Sequence, residues 1–129
     1  MQNFSMDWWL SYQQIWNQQQ ESLWKKFAGL GKVIFICDYS ADDSVCICLE
    51  WDDEGQISSV TSIDDLSEGL PTFRADESMW QKFVAQEIKA APAVMDGLID
   101  YQGSLTLMIK YGRSFDKLAL VAQQLIVEN

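Results

Sequence analysis

Residues 72–112 read TFRADESMWQKFVAQEIKAAPAVMDGLIDYQGSLTLMIKYG, and four local signals follow one another along them. TFRA is short and reads as a strand. Asp76 is a good helix N-cap, because its carboxylate can accept a free N–H of the first turn, and Trp80, Phe83, Val84 and Ile88 then share one helical face, with Met79 beside them. APAVMDG reads as a short helix opened near Pro92 and closed by Gly97, carrying Val94 and Met95 and leading to Leu98. GSLTLMIK alternates Leu105, Leu107 and Ile109 against Ser104, Thr106, Met108 and Lys110, which predicts a last strand.

Downstream, Ser114 is placed to cap a final helix whose Phe115, Leu118, Ala119, Ala122, Leu125 and Ile126 form an apolar stripe. Upstream, Trp9, Tyr12, Trp16, Leu23 and Phe27 recur with helical spacing and predict one long amphipathic helix over residues 5–28, ended by Gly29 and Gly31. VIFIC then begins a buried strand. In the next strand Val45, Ile47, Leu49 and Trp51 point one way and Cys46, Cys48 and Glu50 the other, and QISSVTSI after Gly55 supplies a third strand of an antiparallel meander. The order αβββ followed by βααβα is that of a single α+β domain over residues 1–129.

Composition narrows the function. A chain of 129 residues that is 48% hydrophobic, with six tryptophans, can fill a core and still line a cavity. Its net charge of −10 argues against nucleic acid, which needs a basic surface. With no histidine, a Ser-His-Asp triad, a Cys-His pair and a His-rich zinc site are all excluded. Charge is also uneven: residues 36–80 carry a net −11, whereas residues 81–129 are balanced. Cys37, Cys46 and Cys48 form no CxxC and lie in apolar runs, which fits a reduced compartment. MQNFSMDWWL lacks the pattern of a signal peptide, and no apolar run is long enough to span a bilayer, so the expected setting is soluble and cytoplasmic.

The stretch 72–112 resembles the second half of the sterol carrier protein 2 (SCP2) family. In that family a short strand leads through an acidic residue into a helix with an aromatic near its start, then a brief helix, two glycines and a final strand. Asp76, Trp80, Phe83, Ala93, Val94, Met95, Gly97, Gly103 and Leu105 occupy those places here. The resemblance implies a five-stranded, mostly antiparallel sheet covered on one face by helices, with an apolar tunnel between them for a sterol, a fatty acid, a fatty acyl-CoA or another lipid. It implies binding, with or without transfer, and no catalysis. Departures are the absence of a peroxisomal carboxyl signal, the abundance of tryptophan and the very acidic middle.

The expected ligand-binding residues are Met79, Trp80, Phe83, Val84, Val94, Met95, Leu98, Leu105, Leu107, Phe115, Leu118 and Leu125, on faces that converge if both helices pack on one sheet. Periodicity alone is equally met by a filled core; the resemblance favours the pocket. Lys110, Arg113 and Lys117 cluster where the last strand is expected to meet the last helix, and an acidic head group is expected by Lys110, Arg113 and Ser114, where a helix start would add free N–H groups. Ordinary surface bases explain the same cluster.

Other readings stay open. The helix with Trp8, Trp9, Trp16 and Trp24 has too few bases for an interfacial helix, so core packing is expected and membrane contact is at most transient. Asp52-Asp53-Glu54-Gly55, and Asp64-Asp65 with Glu68, lack EF-hand spacing and read as solvated turns; Cys46 and Cys48 lack further ligands, and no metal or cofactor is expected. An enzyme would need a carboxylate of raised pKa, such as Asp38 or Glu50, or a tyrosine acid, such as Tyr12 or Tyr101, as in a small isomerase or hydratase. An interaction module using the acidic face is a further alternative.

Overall fold

The computed structural model describes residues 2–63 and 69–125. Ser5 caps helix α1 (Met6–Asn17) by accepting from the Trp8 N–H, and Trp8, Tyr12 and Trp16 form its buried face at four-residue intervals. The single long helix expected over residues 5–28 is corrected: a break at residues 18–20 separates α1 from the one-turn α2 (Glu21–Trp24). Side chains cause the break. Asn17 pairs with the backbone of Ile57, donating from Nδ2 and accepting at Oδ1, while the indole N–H of Trp24 folds back onto the Trp16 carbonyl.

Strands β1 (Gly31–Ser40), β2 (Asp43–Trp51) and β3 (Ile57–Ser62) form the expected meander. Strand β4 (Thr72–Asp76) joins β1 in parallel, and β5 (Asp100–Gln102) pairs antiparallel with β4. The order β3-β2-β1-β4-β5 is therefore a mixed, mostly antiparallel five-stranded sheet. Between β4 and β5 lie α3 (Glu77–Val84) and α4 (Ala90–Met95); Asp76 caps α3 by accepting from Met79 N–H at 2.8 Å.

The chain then departs from its alternating pattern. The last strand expected at GSLTLMIK is instead the start of α5 (Leu105–Phe115), and the fifth strand is the three residues Asp100–Gln102 before it. Ser104 explains this, since its side chain accepts from Leu107 N–H and caps the helix. Once helical, the buried stripe is Met108, Gly112 and Phe115, and Leu105 and Ile109 turn outward. At Gly112 helix α5 runs against α4, and a β-carbon there would make ordinary contact, 3.5 Å from that of Ala91. The final helix is not capped by Ser114, which lies in the last turn of α5; a short α6 (Leu118–Ala122) follows.

Helices cover one face of the sheet. Val33, Phe35, Cys37, Ile47, Leu49, Trp51, Phe73 and Ala75 point into that core, as the alternation in β2 requires. On the other face Ile34, Ile36 and Cys48 make a smaller cluster with Cys46, Ile63 and Leu70. Trp8 and Trp16 are buried, so the aromatic helix is a core element. The Tyr12 hydroxyl donates to the Leu118 carbonyl at 2.9 Å, tying α1 to α6.

Candidate functional site

The space between the sheet and its helices is largely filled by rings. Phe35 stacks on Phe73 at 5.6 Å, Phe73 meets Phe115 edge-on at 4.9 Å, and Phe27 stacks on Trp51 at 5.5 Å. Trp80 is fixed among them, its indole N–H donating to the Ile36 carbonyl at 2.9 Å. A void of about 10 Å³ beside Phe35, Trp80 and Trp9 is at the lower limit for one water.

Larger space opens at the surface. A groove of about 980 Å³ runs between the α3–α4 connection and α4, α5 and α6. Phe83, Ile88, Ala91, Pro92, Ala119 and Leu120 give it an apolar lining. Around them stand Lys26, Lys89, Arg113 and Lys117, four of the nine bases in a chain of net charge −10. Among the described residues these four have no ion-pair partner, the ion pairs being Lys25 with Glu21 and Arg74 with Asp38. Asp116 is the one acid among the described lining residues, and its carboxylate accepts from Ala90 N–H at 2.8 Å.

The residues expected to bind ligand divide into three groups. Trp80, Phe83, Val84, Phe115 and Leu118 are buried in the core, and of these Phe83 also reaches the groove. Met79, Val94, Leu107 and Leu125 are half-buried and pack against the core. Met95, Leu98 and Leu105 are 86%, 44% and 74% exposed, standing at the last residue of α4, in the turn after it and at the first residue of α5.

The head-group cluster is corrected in the same way. Arg113 and Ser114 do line the groove, but Ser114 sits at the carbonyl end of α5, where the helix dipole disfavours an anion. Lys110 is not in the lining and lies 5.3 Å from the Tyr111 ring centroid. Lys117, which the sequence places in the same basic cluster, lines the groove; Lys26 and Lys89 were not indicated by the sequence, since they come from segments distant along the chain.

Candidates for other chemistry have structural roles. The Arg74 guanidinium grips Asp38 through two hydrogen bonds, at 2.8 and 2.9 Å, and holds its carboxyl below the usual range, the opposite of a poised acid. Tyr12 is raised by burial and spends its proton on Leu118; Tyr101, also raised by burial, donates to the Ser104 carbonyl. Asp52 accepts from the Glu54 and Gln56 N–H groups, as a turn residue does. Asp64, Asp65 and Glu68 lie outside the described residues. Among the described residues no three Cys, Asp or Glu side chains are grouped to hold a metal ion, and no helix is long and apolar enough to cross a membrane.

No protein-family model matches the sequence, and no curated protein matches it. Solved structures do. A conserved hypothetical protein of Thermus thermophilus, described as a candidate sterol carrier protein, superposes with a TM-score of 0.81 at 18% identity, over 99% of this chain and 92% of that one. A crystal structure of sterol carrier protein 2 gives a TM-score of 0.78 at 17% identity, over 97% and 100%. The apo form of sterol carrier protein 2 from Yarrowia lipolytica gives 0.57 at 16%, over 92% and 88%. The chain has the SCP2 fold.

Proposed function

We propose that this chain is a non-catalytic lipid-binding domain whose ligand is an amphiphile with an acidic head, such as a fatty acid or fatty acyl-CoA. The observation that carries the reading is the groove: an apolar lining ringed by Lys26, Lys89, Arg113 and Lys117, all unpaired among the described residues, on a protein that is otherwise strongly acidic. Long-range repulsion by the acidic middle disfavours an anion everywhere else, so local charge selects this place. Phe83 links the groove to the apolar interior and gives the tail its path, opening the tunnel by displacement of side chains around α3 and α6. Cys37, Cys46 and Cys48 form no disulfide with one another, which fits a reducing compartment.

Native mass spectrometry of the purified protein is expected to show copurified lipid. Titration of a long-chain fatty acid against its methyl ester then tests the head-group site. Lys89→Glu with Arg113→Glu is expected to weaken the acid by about fivefold or more per charge while sparing the ester. Absence of cargo together with no saturable binding of either probe overturns the reading.

A further inference from the structure

Helices α3 and α4 end in the same hydrogen-bonded turn. After α3, the Gln86 N–H donates to the Phe83 carbonyl at 3.0 Å and the Glu87 N–H to the Lys82 carbonyl at 2.9 Å. After α4, the Gly97 N–H donates to the Val94 carbonyl at 3.2 Å and the Leu98 N–H to the Ala93 carbonyl at 2.9 Å. Such a turn holds the first residue past the cap in the left-handed region. At α4 that residue is Gly97, with φ +75°, where a glycine meets no steric penalty. At α3 it is Gln86, with φ +63°, where the β-carbon crowds the residue's own backbone. Among the described residues only Phe4 shares this conformation without being a glycine, and Phe4 is buried in the core while Gln86 is exposed.

The Gln86 side chain has no task in the fold. Among the described residues its carboxamide makes no hydrogen bond, and its exposure leaves it outside the core. A strained residue without structural return points to function. The settings of the two turns differ in the relevant way: Gln86 lines the groove of about 980 Å³, and Gly97 does not. Phe83, Gln86 and Lys89 follow one another at three-residue intervals and all line it, the first in its apolar part and the last among its bases. An amide there adds what neither neighbour supplies, an uncharged N–H donor. A base separates an anion from a neutral head, whereas an amide N–H bonds a carboxylate oxygen and an ester carbonyl alike.

We infer that Gln86 is a ligand-contacting residue of the groove, its carboxamide N–H donating to a head-group oxygen of the bound amphiphile, and that the α3 turn carries glutamine in place of glycine for this contact. The inference rests on the lipid-binding reading and deepens it: the ligand presents an oxygen acceptor in its head in addition to the negative charge that the bases attract. The exposed Glu87 beside it does not cancel the contact, because an uncharged donor needs no positive surroundings.

Thermal melting of the full chain, together with titration of oleic acid and of methyl oleate, tests the inference. Binding is read through tryptophan emission, since the Trp80 ring lies 6.0 Å from that of Phe83 in the groove lining. Gln86→Gly is expected to melt about 3 °C or more above wild type, because glycine relaxes the turn. The same variant is expected to bind both probes about fivefold more weakly, as loss of one hydrogen bond does. Gln86→Ala keeps the strained backbone and lacks the amide, so it is expected to lose as much binding with no gain in melting temperature. Gln86→Glu replaces the donor by a negative charge and is expected to weaken the acid further than the ester. A Gln86→Gly protein that melts no higher than wild type overturns the inference without any ligand present. Unaltered binding in that variant, or a loss confined to the acid, overturns the contact and leaves the lipid-binding reading standing. Failure of the wild type to bind either probe overturns both.

Discussion

The Asp116 carboxylate reaches from the end of α5 to the Ala90 N–H at the start of α4, and this 2.8 Å hydrogen bond ties two walls of the groove. It supplies α4 with a cap that Lys89, its own N-cap residue, does not provide. Asp116→Ala is expected to lower stability by about 1 kcal/mol in urea unfolding, as loss of an N-cap does. Asp116→Asn keeps the acceptor oxygen and removes the only acid in the described lining, so it is expected to cost little stability and to tighten binding of a fatty acid over its methyl ester.

Asp38 and Arg74 couple stability to acid. The pair joins β1 to β4 with two hydrogen bonds, and they are the main cause of the lowered Asp38 pKa. A depressed carboxylate contributes stability that is fully present above its unfolded pKa of about 3.9 and is lost as pH falls through the lower folded value. Melting temperatures followed below about pH 4 are expected to fall less steeply in Arg74→Met than in wild type. At neutral pH the difference is expected to stay within about 1 kcal/mol, the pair being partly solvated.

Gly55 is irreplaceable for a geometric reason. Its φ is +89°, and a β-carbon there would overlap the backbone carbonyl of Trp24, a rigid neighbour. Its own carbonyl also accepts from the Trp16 indole at 2.9 Å. Gly55→Ala is expected to cost well over about 1 kcal/mol, read as a lower urea midpoint.

Thiol labelling is expected to be ordered. Cys46 is half-buried and reacts first, while burial pushes the Cys37 thiol up to about 12 and raises Cys48 as well. A protonated, enclosed thiol reacts only when the fold opens. Mass spectrometry of partly labelled protein is expected to find the first label on Cys46, with Cys37 following the unfolding rate; early labelling of Cys37 contradicts the packing of β1 against α3.

Much of the fold was legible because its signals are local. The Asp76 cap, the β2 alternation and the short helix between Pro92 and Gly97 each depend on neighbours a few residues away. Residues 103–110 misled because Leu105, Leu107 and Ile109 fit a two-residue period, and the rival helical stripe of Met108, Gly112 and Phe115 includes a glycine with no side chain to register. The break after α1 was hidden because Asn17 finds its partner on β3. Of the groove, Arg113 and Ser114 were visible as a local cluster, but Lys26 and Lys89 join them only through tertiary packing.

Strand β1 is bound on one side to a neighbour close in sequence and on the other to β4, where Ile34 faces Thr72 across a chain separation of about 40 residues. Residues 31–62 can assemble from nearby contacts, and so can the segment from β4 through β5. The parallel seam is where two independently formed halves are stitched, and closing it requires the longer loop. The order of assembly implies an order of breathing. Amide exchange is expected to run faster along the β1–β4 line than along β1–β2, so the molecule parts between its halves before either half comes undone.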